Sequence, residues 1–128
     1  MTSPVSSFRE LRVYHEACDL DYEIFITSRS FPREETYSLT DQVRRASRSI
    51  GANISEAWAK RRYPAHFVSK LTDADAELQE TRHWLSRALA YGYLQAAAGA
   101  ALERRCDHVG GMLGNMILHP ESFTHGPQ

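Results

Sequence analysis

Cysteine is almost missing from this sequence: two residues in 128, Cys18 and Cys106, with no short regular spacing between them. That excludes a disulfide framework of the secreted kind, and reduced thiols are the simpler reading. Long apolar runs are missing too. None approaches the ~20 residues that a bilayer span requires, and the opening MTSPVSSFRE lacks a charged and then apolar export signal. The expectation is therefore a soluble, unexported chain working in the cytoplasm, with no membrane partner. An excess of positive charge is also absent. Net charge is -1 and the isoelectric point about 6.6, which excludes a binder that coats nucleic acid with its whole surface; any phosphate contact must be local. No nucleophile-elbow spacing, phosphate-cradling glycine loop, dinucleotide fingerprint, internal repeat or low-complexity tract occurs. Nothing points to an enzyme or to a cofactor.

Glycine and proline are few and gathered, in FPREE near 31 to 35, RRYPAH near 61 to 66, YGYLQ near 91 to 95 and the tail HPESFTHGPQ. Between them lie four long segments with apolar residues at alternating spacings of four and three, the mark of an amphipathic helix. The first carries Val13, Ala17, Leu20, Ile24 and Thr27, widened by Tyr14, Cys18 and Phe25. Ser7 followed by Glu10 predicts reciprocal capping at its start. The second carries Leu39, Val43, Ala46, Ile50, Asn53 and Ala57, with either Pro32 in its first turn or Ser38 as a later cap. The third carries Phe67, Leu71, Ala74, Leu78, Leu85 and Leu89, with Pro64 at its beginning and Gly92 at its end. The fourth carries Leu102, Cys106, Val109, Leu113 and Met116 and stops before Pro120.

The reading is one all-α domain over 1–128, with helices at about 7–30, 33–61, 64–91 and 95–118 and an irregular tail at 119–128. Short connections make sequential neighbours antiparallel, giving an up-down-up-down four-helix bundle. Gly110 and Gly114, one turn apart, predict a smooth groove for a neighbouring helix of the same chain or another. Asn53, in register with the apolar stripe, predicts a buried amide that must find partners.

Metal chemistry has two weak candidates. Glu80 and His83 form the E-x-x-H spacing of di-iron bundles, but no second such pair exists and Leu78 and Leu85 take the core side. His15 with Cys18 and Cys106 with His108 offer four candidate zinc ligands from two helices, yet the second pair sits two residues apart and points in different directions on a helix. Small core cysteines are the plainer reading.

Charge is uneven along the chain. Between Asp41 and Arg62 stand six basic residues, Arg44, Arg45, Arg48, Lys60, Arg61 and Arg62, against Asp41 and Glu56. The third segment answers with Asp73, Asp75, Glu77 and Glu80. Three uses fit the basic residues: a solvated face, a seam against the acidic helix of a neighbouring subunit, or a phosphate-binding stripe for RNA or DNA.

The stretches FRELRVYHEACDL, FPREETYSLTDQVRRASRSIGANISEAW and ELQETRHWLSRALAYGYL resemble a bacterial family of four-helix-bundle proteins, first noticed as reading frames within intervening sequences of 23S ribosomal RNA genes. The second stretch is the specific part, with Phe31-Pro32, Leu39, Gln42, Arg44-Arg45-Ala46, Ser49-Ile50, Asn53-Ile54 and Glu56 in order. Gly51 stands where the family commonly has proline and Ala57 where it has glycine, so a bend near Gly51 is expected. Asp75-Ala76 replaces a Gly-Ser and leaves that surface more acidic. The resemblance implies a cyclic homopentamer of bundles. It also points to relatives that serve diversity-generating retroelements, in which a basic pentamer binds a reverse transcriptase and nucleic acid.

Overall fold

The computed structural model describes residues 5–124. Its main helices are α1 (Arg12–Ser28), α2 (Leu39–Ala59), α3 (Pro64–Ala90) and α4 (Ala96–Leu118), followed by a single turn, α5 (Glu121–Thr124). Each main helix packs on the next and α4 returns to α1, the closed order of an up-down bundle. The apolar stripes meet at its axis. Ala17, Leu20, Ile24, Val43, Ile50, Ile54, Phe67, Leu71, Leu78, Val109 and Leu113 are all buried, the face that 3.6-residue periodicity requires.

α1 starts later than expected, and at α2 the later of the two alternatives, with Ser38 at the N-cap place, is the one taken. A short 3-10 turn, Phe8–Glu10, precedes α1, and another, Arg33–Glu35, precedes α2. In the first, Ser7 Oγ accepts from the Arg9 amide, while the Glu10 carboxylate turns back to the amide and hydroxyl of Ser6. The anticipated reciprocal Ser7–Glu10 capping does not form: Ser7 caps the 3-10 turn through Arg9, Glu10 pairs with Ser6, and α1 begins later, at Arg12. In the second, Ser38 holds the N-cap place of α2 without a side-chain bond, and the Glu35 carboxylate accepts from the Leu39 amide at 3.2 Å. α2 ends at Ala59, before Arg61.

Other ends follow the sequence. Pro64 opens α3, where its missing N–H costs nothing. Gly92 closes it at φ +81, with the Tyr93 amide donating to Ala88 O and the Gly92 amide to Leu89 O, the paired bonds of a Schellman end. Leu89, assigned to the core by its register, is 44% exposed, because it lies in this last turn and rests on Gly99 of α4. The tail expected to be irregular forms α5 at Glu121–Thr124, whose Phe123 ring stacks on Phe67 at 6.1 Å. Residues 125–128 of that tail lie outside the described residues.

The glycines separate into different uses. α2 runs unbroken through Gly51, and a Cβ there would meet Tyr14 Cε1 at 3.6 Å and Cys18 Sγ at 3.9 Å. Those are ordinary contact distances, so the residue faces α1 without interrupting α2 and without being required for the approach. Gly110 is the closer approach: a Cβ there would meet Leu78 Cδ2 of α3 at 3.3 Å, tighter than ordinary contact. Gly114 has no such neighbour within 4 Å among the described residues, so among these only Gly110 of the two expected groove glycines meets a neighbouring helix. Asn53 is half-buried and needs no cross-helix partner, because its Nδ2 donates to Ser49 O one turn back.

Candidate functional site

The six basic residues, for which a solvated face, an inter-subunit seam and a phosphate-binding stripe all stood open, fall into four different settings. Arg44 is half-buried and turned toward α1. Its Nε donates to Ser28 Oγ at 2.8 Å and its Nη2 to the Phe25 carbonyl at 3.4 Å. With Arg29 at its C-cap, α1 already ends beside one cation, and the guanidinium of α2 adds a second positive charge where the C-terminal dipole favours it. Ser28 is buried, and its hydroxyl also donates to Phe25 O. Arg44 is therefore largely a structural tie between two helices.

Arg45 is exposed, donates from Nη2 to Gln42 Oε1 at 2.7 Å, and lies 3.6 Å from Glu80 of α3 in its own chain. The carboxylate considered for a neighbouring subunit is thus reached within the protomer. Glu80 also accepts from Trp84 Nε1 at 3.1 Å, while His83 is exposed against the Trp84 ring. Glu80 and His83 do not converge on a common point with further ligands, and among the described residues no three His, Cys, Asp or Glu side chains gather. Glu77, one turn before, has a buried oxygen without a hydrogen-bond partner among the described residues, and burial, reinforced by the charge of Glu80, raises its carboxyl above the ordinary glutamate value.

Arg48 is exposed and joins an arrangement that sequence reading missed. The guanidinium carbons of Arg29, Arg44 and Arg48 lie 4.7, 4.9 and 6.0 Å from the centroid of the single ring of Phe25. Arg29 and Phe25 are one turn apart at the end of α1, a spacing visible in the sequence; only the packing of α2 on α1 adds the other two. Asp21 is the carboxylate coupled to this group. Its partial burial raises its carboxyl, and the charge of Arg48 opposes that rise.

Lys60, Arg61 and Arg62 follow the end of α2, so Lys60 is roughly 24 Å from Arg44 along the helix axis at 1.5 Å per residue. Lys60 and Arg62 are exposed. Arg61 lies over the Trp58 ring at 4.1 Å and donates from Nη1 to Trp58 O at 2.9 Å. Beside them stand Tyr63, 58% exposed, and His66, whose ring centroid is 5.7 Å away. Among the described residues none of the three cations has a carboxylate within 4.0 Å; the nearby acids Glu56 and Asp73 are both engaged by Lys70, at 2.7 and 3.5 Å.

The cysteines have packing roles. Cys106 is fully buried, and that burial pushes its thiol up to about 12. Cys18 is raised by burial too and faces α2 at Gly51. His108 points to Glu16 at 3.8 Å, away from any thiol pair. A groove of about 670 Å³ opens between α4 and the chain before α1, walled mainly by Leu11, Val13, Met112, Met116 and Phe123. No helix among the described residues is long and apolar enough to cross a membrane.

Comparison with known proteins adds to this geometry. No curated protein matches. A similar solved structure is that of a Bacteroides thetaiotaomicron protein with unknown function from the S23 ribosomal protein family, with a TM-score of 0.72 over 82% of this chain and 97% of that one. At 23% identity the two share a fold. The family model for 23S rRNA-intervening sequence proteins matches residues 9–115, from the 3-10 turn before α1 almost to the end of α4. The chain belongs to the 23S rRNA-intervening sequence protein family.

Proposed function

We propose that this protein is a non-enzymatic bundle that assembles with copies of itself into a ring and serves as a scaffold or adaptor, touching nucleic acid through cations at the end of α2. The observation that supports the reading is the group Lys60, Arg61 and Arg62. These cations lack a neutralising carboxylate among the described residues and sit beside an exposed tyrosine and histidine. Phosphates pair with such cations, and bases stack on such rings without sequence preference. Arg45 leaves the contact set because Glu80 engages it, and Arg44 contributes mainly to structure. The chain remains near neutral, so binding is local and strongly salt-dependent. A nucleic-acid-processing protein such as a reverse transcriptase is the partner class that retroelement relatives offer.

Replacing Lys60 and Arg62 by glutamine tests the contact. Affinity for RNA or DNA should fall uniformly across sequences, and the slope of log affinity against log salt should flatten by about 1 per lost phosphate contact. An unchanged affinity and slope would remove these residues from the site.

Self-association draws on a different surface. Tyr22 and Ile26 of α1 are 62% and 41% exposed, and with Ala98, Ala101 and Leu102 of α4 they line a shallow apolar depression of about 330 Å³. A pentamer would scatter light as five 14.5 kDa chains. Tyr22→Glu with Ile26→Glu should reduce that mass to one chain while leaving the helical circular dichroism unchanged; persistence of the larger mass would place the contact elsewhere.

A further inference from the structure

We propose that Arg29, Arg44 and Arg48, gathered around Phe25, form a site for a phosphate monoester, the group carried at the 5′ end of a nucleotide or a nucleic-acid strand. Three guanidinium carbons within 6.0 Å of one ring centroid is a concentration of like charge. Among the described residues no carboxylate lies within salt-bridge distance of any of them, and Asp21 couples only to Arg48 through space. Phe25 offers its ring face to the cations and its carbonyl to Arg44, which partly offsets their repulsion. The sum is close to two unbalanced positive charges. A monoester carries ≈ -1.5 to -2 at neutral pH, whereas an internal diester carries one.

Geometry agrees with the charge count. Arg44 is fixed through Nε to Ser28 and partly through Nη2, which leaves Nη1 unassigned on a side chain already immobilised. Arg29 and Arg48 are exposed on either helix, and guanidinium forks suit phosphate oxygens. A held arginine backed by two adjustable ones loses less freedom on closing around an anion than three loose ones would. The reading of α2 as a nucleic-acid contact supplies the nucleotide as the bearer of the phosphate, and to that extent this inference rests on it.

The test is a titration by calorimetry of the intact protein with a 5′-phosphorylated RNA hexamer, the same hexamer ending in 5′-hydroxyl, adenosine monophosphate and adenosine. The phosphorylated hexamer should bind about tenfold more tightly than the hydroxyl form, the equivalent of one charge-assisted contact. Arg29→Gln should abolish that preference while leaving binding of the hydroxyl hexamer intact, and Asp21→Asn should enlarge it. Lys60→Gln with Arg62→Gln should weaken both hexamers and keep their ratio. Equal binding of the two hexamers, or a preference that survives Arg29→Gln and Arg48→Gln, overturns the site. Failure of both hexamers with Arg29-dependent binding of adenosine monophosphate sustains the site and overturns the strand contact. A phosphoserine peptide that binds more tightly than adenosine monophosphate overturns the nucleotide assignment.

Discussion

Replacing Arg44 by methionine should destabilise the bundle by about 2 kcal/mol, whereas the same change at Arg48 should cost less than about 0.5 kcal/mol. The difference arises from placement. Arg44 makes a 2.8 Å bond to the buried Ser28 hydroxyl, a longer one to Phe25 O, and a contact with the Phe25 ring at 4.9 Å. A charge-assisted hydrogen bond contributes roughly 1.5–3 kcal/mol and a partly exposed cation–π contact about 0.5–1 kcal/mol. These do not add in full. Ser28 keeps its own bond to Phe25 O when the arginine leaves, and methionine retains most of the buried stem. Arg48 has only the ring, at 6.0 Å, and the field of Asp21. Urea denaturation should show a lower midpoint for Arg44→Met at an unchanged slope, since the surface exposed on unfolding is the same. Combining it with Ser28→Ala should give a coupling of about 1 kcal/mol in a double-mutant cycle. If Arg44→Met is as stable as Arg48→Met, Arg44 is a free surface cation, and the assignment of its guanidinium to the end of α1 fails.

Gly51→Ala should stabilise the protein by about 1 kcal/mol through helix propensity, because its new Cβ meets Tyr14 and Cys18 at ordinary contact distances; a lower melting temperature would instead reveal a bend that only glycine allows. Gly92→Ala should cost about 1–2 kcal/mol, since φ +81 is strained for any residue with a Cβ, and thermal melts of the two variants should move in opposite directions. Glu77→Gln should raise stability at neutral pH. The folded-state carboxyl is raised, so its stability contribution is full below the unfolded value of about 4.3 and falls as pH rises through the folded one; the advantage of glutamine should therefore vanish in acid. An advantage that is constant with pH would detach it from ionisation. Cys106 should resist alkylation at pH 8 in the native state and react fully in urea, because its thiol is buried and ionises only at about 12; equal rates in both states would contradict its burial.

Much of the fold could be read from the order of residues alone. Leu39, Val43, Ala46, Ile50 and Ala57 recur at helical spacing, and all five are buried. Pro64 and Gly92 act through their own backbone chemistry, so the boundaries of α3 are local information. The beginnings of α1 and α2 were less legible. Capping side chains such as Ser7 and Glu10 can serve a 3-10 turn, here through Arg9 and Ser6, as readily as an α-helix, and competition between hydrogen bonds separated by one or two residues decides which forms.

The basic residues show the boundary between the two kinds of information. By itself the sequence determined that six cations lie between positions 44 and 62 of a nearly neutral chain, on and just beyond one helix, because residue identity and helical period are both written in the chain. Which of them remain available is a property of packing. Glu80 is 35 residues beyond Arg45, and Phe25 and Ser28 precede Arg44 by 19 and 16 positions. Separations of that size carry no helical periodicity, so only the apposition of α1, α2 and α3 could assign Arg44 to a helix end, Arg45 to an ion pair, Arg48 to the ring of Phe25, and leave Lys60 and Arg62 open to a partner.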